Sequence, residues 1–148
     1  IITDLRPSIL DHQGLWAALE WLAHDLLPAA ELALDWQMEV PDGLELPEAE
    51  AMAVFRIFQE MLSNVVRHAG AAGVVIRIGV QEGQLDISVQ DDGRGAPAQA
   101  FEAPDAYGVM GMRERARHFG GAVAIRSQPG AGVLCSLCWP LSNPEVTR

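Results

Sequence analysis

The sequence predicts one domain of mixed helix and strand, with three helices and about five strands, and three observations carry that expectation. A long amphipathic stretch from Glu50 to Ala69 reads EAMAVFRIFQEMLSNVVRHA. Two pairs of apolar-rich runs are each joined by a turn dipeptide, and a glycine-marked segment opens a further helix at Gly108. With 49% hydrophobic residues and four Trp among 148, the chain suits a folded core rather than disorder.

Taken in order, Pro7 ends or breaks any helix entering from upstream. Leu15, Leu19, Leu22 and Leu26 with Trp16 then recur at helical spacing, and Asp11 is placed to cap that helix. Leu32 to Val40 alternates apolar and polar residues as a half-buried strand does. PDGLELP turns the chain into the long helix, with Glu48 in the first turn where the macrodipole favours an acid. Beyond Gly70 and Gly73, GVVIRIGVQ and QLDISVQ form a hairpin that turns at Glu82-Gly83. Ala96 to Tyr107 lacks periodicity, contains Pro97 and Pro104, and reads as a loop of lid length. YGVMGMRERARHFGG gives the third helix. AVAIRSQ and VLCSLCWPL give a second hairpin turning at Pro129-Gly130, and SNPEVTR is a frayed end.

On the long helix, Val54, Phe55, Phe58, Met61, Leu62, Val65, Val66 and Ala69 fall on one arc. Glu60, Asn64, Arg67 and His68 repeat at i, i+4, i+7 and i+8 on the other. That second face is either an ordinary solvated one, or it presents an acid, an oxygen ligand for a metal and donors for phosphate. The second strand of the first hairpin runs into Asp91-Asp92-Gly93-Arg94-Gly95. This is either an Asp-Gly turn, or a carboxylate set to accept from an exocyclic amine while the glycines let backbone approach a flat ligand. Gly108 and Gly111 open a helix whose free N–H groups form a ready anion site, whereas Arg113, Arg115 and Arg117 read as solvated or paired. His12, His24 and His118 read as surface or packing residues. Cys135 and Cys138 are too few for a structural zinc site and should point to opposite faces of a strand, which leaves two unlinked thiols or, as the alternative, a metal or redox role.

Twenty acidic against ten basic residues give a formal charge of −10, which disfavours a nucleic-acid partner and requires any phosphate to be met by local donors or a metal. The apolar runs fall well short of the ~20 residues of a membrane span and no signal-peptide pattern is present, so the chain is expected to be soluble and free of membrane contact. Scarce cysteine fits a reducing, cytoplasmic setting. The first residues are Ile-Ile rather than Met, so a piece of a longer protein is expected.

Three motifs occur in order and in context: E-x-x-x-N-x-x-R-H on a helix, D-x-G-x-G after a strand, and glycines opening G-V-M-G-M-R-E-R. Together they resemble the ATP-binding catalytic domain of bacterial sensor histidine kinases in the GHKL ATPase superfamily. LRPSILDHQGLWAALEW and GMRERA look like the nitrate-sensor and DesK-like subfamily. The resemblance implies a two-layer α+β sandwich of the Bergerat type, a mixed sheet backed by helices. Residues 1–10 would be the end of a dimerisation and phosphoacceptor region, and 11–148 the ATP-binding domain.

It further implies ATP and Mg²⁺ as ligands. Asn64 would hold the metal, Glu60 would be the polarising acid, Arg67 and His68 would contact phosphate, Asp91 would read the adenine amine, Gly93 and Gly95 would shape the pocket wall, and Gly108 and Gly111 would close a lid. The activity implied is protein-histidine kinase, with a homodimeric dimerisation domain of the same protein and a LuxR-type response regulator as partners, in a parent protein that is free or membrane-anchored. The alternatives are an ATP-gated interaction module like an anti-sigma factor and a non-binding scaffold. Two departures bear on them: Ala106-Tyr107-Gly108-Val109 stands where the family reads G-x-G-L, and Gly132-Val133 where it reads glycine-threonine. The family's acceptor histidine would lie upstream of Leu5, and none of the four histidines here has its context.

Overall fold

A computed structural model describes residues 8–68, 70–93, 108–127 and 130–141. The elements run α1 Ser8–Gln13, α2 Leu15–Ala29, β1 Ala33–Glu39, α3 Glu48–His68, β2 Gly73–Gln81, β3 Gln84–Asp91, α4 Val109–His118, β4 Ala122–Ser127 and β5 Val133–Pro140. The five strands form one sheet in the order β1-β2-β3-β5-β4, with β1 parallel to β2 and every other pair antiparallel. This is the expected mixed sheet backed by helices.

Period-2 alternation builds the layers. Leu34, Trp36 and Met38 pair with Val74, Ile76 and Ile78. Those three pair with Asp91, Val89 and Ile87, and Val89, Ile87 and Leu85 pair with Cys135, Leu137 and Trp139. One face is therefore apolar, Asp91 excepted, and meets the helices, while Gln37, Arg77, Ser88 and Ser136 cross the other face in register. The helical layer centres on α3, whose Val54, Phe55, Ile57, Phe58, Met61 and Leu62 are each at most 2% exposed. The ring of Trp36 meets Phe58 edge-on at 6.4 Å, and Trp139 Nε1 donates to Glu50 Oε1 at 2.8 Å across the layers.

Turn chemistry explains the connections. The first hairpin turns where Glu82 and Gly83 both adopt positive φ, 53° and 73°, the twist that a two-residue loop between antiparallel strands requires. Cys135 is buried and Cys138 half-buried on the opposite face; both are free, and burial pushes the Cys135 thiol up to about 12, so it carries no thiolate chemistry near neutrality. His24 lies on the surface of α2, its Nδ1 2.8 Å from the Glu20 carbonyl and its ring edge-on to Trp36 at 5.7 Å. His118 packs against Phe119.

The structure departs from expectation in four places. A short extra helix, α1, precedes α2, and Leu10 within it is buried in the common core. Asp11 lies in α1 and does not cap α2; the N-cap is Gly14, with φ 88° and no side-chain bond, because only glycine makes the sharp joint between the two helices without strain. Val66, placed on the apolar arc, is 43% exposed: it sits about 80° from Phe58 around the helix, at the margin of the stripe. Ile57, on the other margin, is fully buried instead. Ala69, the loop expected at Ala96 to Tyr107, Pro129 and the tail from Ser142 lie outside the described residues.

The contact between Trp139 and Glu50 yields a stability prediction. Glu50→Ala leaves a buried indole N–H without its acceptor and is expected to cost about 1–3 kcal/mol in chemical denaturation, whereas Glu50→Gln, which keeps an acceptor oxygen, should retain most of that stability.

Candidate functional site

Three of the polar residues singled out on α3 come together as the helical repeat demands. Arg67 donates through Nη2 to Glu60 Oε2 at 3.1 Å and to Asn64 Oδ1 at 3.4 Å, and its Nε reaches the Ser63 carbonyl at 3.4 Å. The ion pair is partly open to solvent, with side chains 54% and 34% exposed, so its net contribution to stability is small. Its effect is local: it gathers an acid, a carboxamide oxygen and a guanidinium into one surface. His68 closes α3, but its side chain, like Gly95, lies outside the described residues.

α4 approaches the same carboxylate. Gly108 is its N-cap in the left-handed region, φ 63°, and a Cβ there would stand 2.4 Å from Glu60 Oε2 and 2.6 Å from its Cδ. The left-handed backbone favours glycine at 108, whereas the atoms a Cβ would meet belong to the flexible end of the Glu60 side chain, which would have to swing aside. Gly108 offers no side chain to cap α4, so among the described residues the first N–H groups of that helix have no side-chain cap beside Glu60. Gly111 differs, since a Cβ there would meet nothing within 4 Å. Tight packing against the protein does not explain it.

At the far end of β3, Asp91 is 4% exposed and is the one buried charged side chain among the described residues. Its Oδ1 accepts from the backbone N–H of Gly93 at 2.8 Å and of Val133 at 3.3 Å. Burial raises its pKa above the ordinary carboxylate value, and the two backbone donors oppose that rise. The neighbouring Asp92 points outward and accepts from the N–H groups of Ala72 and Gly73 at 2.8 and 2.9 Å, which hold its pKa below the ordinary value. Asp92 thereby ties the connection after α3 to the end of β3. Asp91, paired in register with Val74, lies at the end of the sheet to which that connection delivers the chain.

Sequence reasoning noted Gly132 as a motif position but did not anticipate its approach to Asp91. A Cβ there would stand 2.2 Å from the Asp91 carbonyl oxygen, and its φ is 81°, so the strand that begins at Val133 can reach Asp91 only through a glycine. The P-G-A-G run signals a turn but not this approach. The departure at Val133 leaves its backbone donor to Asp91 in place. The departure at Ala106 falls outside the described residues.

Among the described residues no cluster of three or more His, Cys, Asp or Glu could hold a metal ion, and no helix is long and apolar enough to cross a membrane. A metal on this face would find its protein oxygens in the Asn64 carboxamide and the Glu60 carboxylate, with a ligand supplying most of the remainder. That donor set suits Mg²⁺, which commonly keeps one or two protein ligands beside phosphate and water.

Comparison with known proteins accords with this geometry. Residues 49–143 match the family described as histidine kinase-, DNA gyrase B- and HSP90-like ATPase. The chain is 31% identical over 148 residues to the sensor histidine kinase MctS of Rhizobium johnstonii, covering 98% of this chain and 32% of that protein. It is 34% identical over 140 residues to the histidine-protein kinase/phosphatase UhpB of Salmonella typhimurium, covering 93% and 27%. The chain thus spans about a third of the length of these relatives. A solved histidine kinase domain, from the blue-light activated histidine kinase EL346 of Erythrobacter litoralis, shares the fold with a TM-score of 0.68 at 23% identity over 87% of this chain and 60% of that one. With its matched segment running from the start of α3 through β5, the chain belongs to the histidine kinase-, DNA gyrase B- and HSP90-like ATPase family, as the three motifs led us to expect.

Proposed function

We propose that this chain is the ATP-binding catalytic domain of a two-component sensor histidine kinase of the nitrate-sensor and DesK-like type. The observation that carries the reading is Asp91, a carboxylate kept out of water at the end of β3 by two backbone N–H groups. Burying such a group carries a desolvation cost that the two N–H groups only partly offset, and an acceptor facing the exocyclic amine of adenine is the role that accounts for it. The α3 face serves the phosphates: Asn64 offers the oxygen for Mg²⁺, Arg67 and His68 offer cationic donors, and the N-terminus of α4 with Gly108 and Gly111 closes on the anion. Mg²⁺, when bound, neutralises phosphate charge.

In the transfer, the bond from the γ-phosphorus to the β–γ bridging oxygen breaks and a bond to a histidine ring nitrogen forms, so ADP leaves. Glu60 polarises the acceptor imidazole by accepting from its other ring N–H. The protein's contribution is position and charge. The acceptor belongs to a dimerisation region to which residues 1–10 contribute, in a cytoplasmic arrangement within a homodimeric parent, and a LuxR-type response regulator receives the phosphoryl group.

Incubation with labelled ATP should leave this chain without phosphohistidine, and adding a protein that supplies the dimerisation helices should restore transfer. Stable label on His12, His24, His68 or His118 would refute the assignment of the acceptor.

Asp91→Asn preserves an acceptor for Gly93 and Val133 but turns a donor toward the adenine amine. Calorimetry should show ATP affinity falling at least about tenfold with the melt retained, as expected where a site built to hydrogen-bond is mismatched. Equal binding of ATP and GTP by the unsubstituted chain would contradict the role given to Asp91.

Asn64→Ala tests the metal. On a merely solvated face it should be neutral or stabilising by up to ~0.7 kcal/mol through helix propensity. If Asn64 ligates Mg²⁺, the melt holds while nucleotide binding weakens and no longer differs between magnesium and EDTA; an undiminished magnesium effect would remove Asn64 from the site.

A further inference from the structure

Beyond Glu60, on the side away from Asn64, a cleft of about 500 Å³ opens between α3 and α4. Its walls carry Arg56, Gln59 and Glu60 from α3, and Gly108, Gly111 and Arg115 from α4. The spacing explains the convergence, because Gly108, Gly111 and Arg115 stand at i, i+3 and i+7 on one face of α4, and Arg56 and Glu60 at i and i+4 on one face of α3.

All ten basic residues of the chain are arginine, against twenty acids. Two of them lining one cleft is therefore a concentration of positive charge in a negative molecule. Their neighbours are otherwise engaged. Arg117 pairs with Glu114 at 2.6 Å, Arg113 donates to the Val123 carbonyl at 3.4 Å, and Arg67 is held by Glu60 at 3.1 Å. Arg56 donates to Gln59 Oε1 at 3.2 Å within the cleft itself. Arg115 makes no hydrogen bond or ion pair among the described residues, although it faces the cleft. A planar guanidinium with free donors, a second guanidinium opposite, a carboxamide and the open N-terminus of α4 form a donor set for a tetrahedral oxyanion.

We infer that Arg115, with Arg56, forms a subsite for the terminal phosphate of a nucleoside triphosphate, distinct from the Asn64–Arg67 face that meets the inner phosphates. This rests on the nucleotide reading above and deepens it: the subsite distinguishes triphosphate from diphosphate and holds the transferable group on the acceptor side of Glu60. Both arginines are polar-face residues of packed helices, so their replacement by methionine keeps the aliphatic bulk and removes the charge.

The test compares nucleotides rather than activity. ATP and ADP affinities of the full chain are measured by calorimetry with magnesium for the unsubstituted protein, Arg115→Met, Arg56→Met and the double variant, each checked by thermal melting. The expected result is that each single change lowers ATP affinity roughly threefold to tenfold, as for loss of a charge-assisted contact at a partly exposed site, and leaves ADP affinity unchanged. If a single variant melts early, ADP binding by the same preparation reports whether the site is intact, and the ratio of ATP to ADP affinity remains the readout. Equal loss for both nucleotides, or no loss for either, overturns the inference while leaving the nucleotide reading standing. Slower phosphotransfer to a supplied dimerisation domain with an unchanged affinity ratio also overturns it and makes the cleft a protein-docking surface. Failure of the unsubstituted chain to bind either nucleotide removes the nucleotide reading and this inference together.

Discussion

The burial of one carboxylate organises the end of the sheet where β3 stops. β3 lies in the middle of the sheet between β2 and β5, and its last residue, Asp91, continues the inward face set by Leu85, Ile87 and Val89. An isolated acid at such a position is driven towards its neutral form by desolvation, and only directed N–H groups offset that tendency. The chain supplies them from both sides, with Gly93 donating just downstream and Val133 donating from the start of β5. Since β5 approaches this closely only with a glycine at 132, the conformation of one residue in the second hairpin decides whether the acid in the first strand pair can be held. Asp92, one position on, faces outward and is pulled the opposite way in pKa by the N–H groups of Ala72 and Gly73. Two adjacent identical side chains thus acquire different chemistry from the alternation of a strand.

Much of this was legible before any coordinates. The 3.6-residue period of the long helix, the 2-residue period of the strands and the Glu82-Gly83 turn each reflect local sterics, and the elements formed where those patterns placed them. The convergence of Glu60, Asn64 and Arg67 was equally legible, because residues four and seven apart on a helix share a face whatever surrounds it. What could not be read depends on partners distant in sequence. Trp139 and Glu50 lie 89 positions apart, Gly132 meets Asp91 across a sheet, and Gly108 meets Glu60 across a helix crossing. Val66 was placed wrongly, and Ile57 left unplaced, for the same reason: both sit at the margins of the apolar stripe, and the packing of the neighbouring elements, which the period does not contain, decides which margin is covered.

The α3 face shows how a strongly acidic chain gathers a carboxylate, a carboxamide and a guanidinium on one surface. Glu60 alone would repel phosphate, yet Arg67 folds back along the helix to neutralise it and to touch Asn64. The bond lengths, 3.1 and 3.4 Å on a partly exposed pair, describe an arrangement that can rearrange at low cost, because surface ion pairs hold little net free energy. α4 arrives at the same carboxylate through Gly108, so the start of that helix and the acid on α3 lie side by side.

The two ends of the site are therefore built differently, and that difference bears on how the chain tolerates substitution. At Asp91 the donors are backbone N–H groups, so the identity of residue 133 matters little to the hydrogen bond it makes; valine in place of a hydroxyl-bearing residue retains the N–H that reaches Oδ1. Sensitivity there is concentrated in Gly132, where the constraint is steric. On α3 the functional atoms belong to side chains spaced by the helix, and no backbone group can stand in for the Glu60 carboxylate, the Asn64 carboxamide or the Arg67 guanidinium. Departures from a family pattern consequently weigh less on the strand side, where the backbone makes the bonds, than on the helix side, where the side chains do.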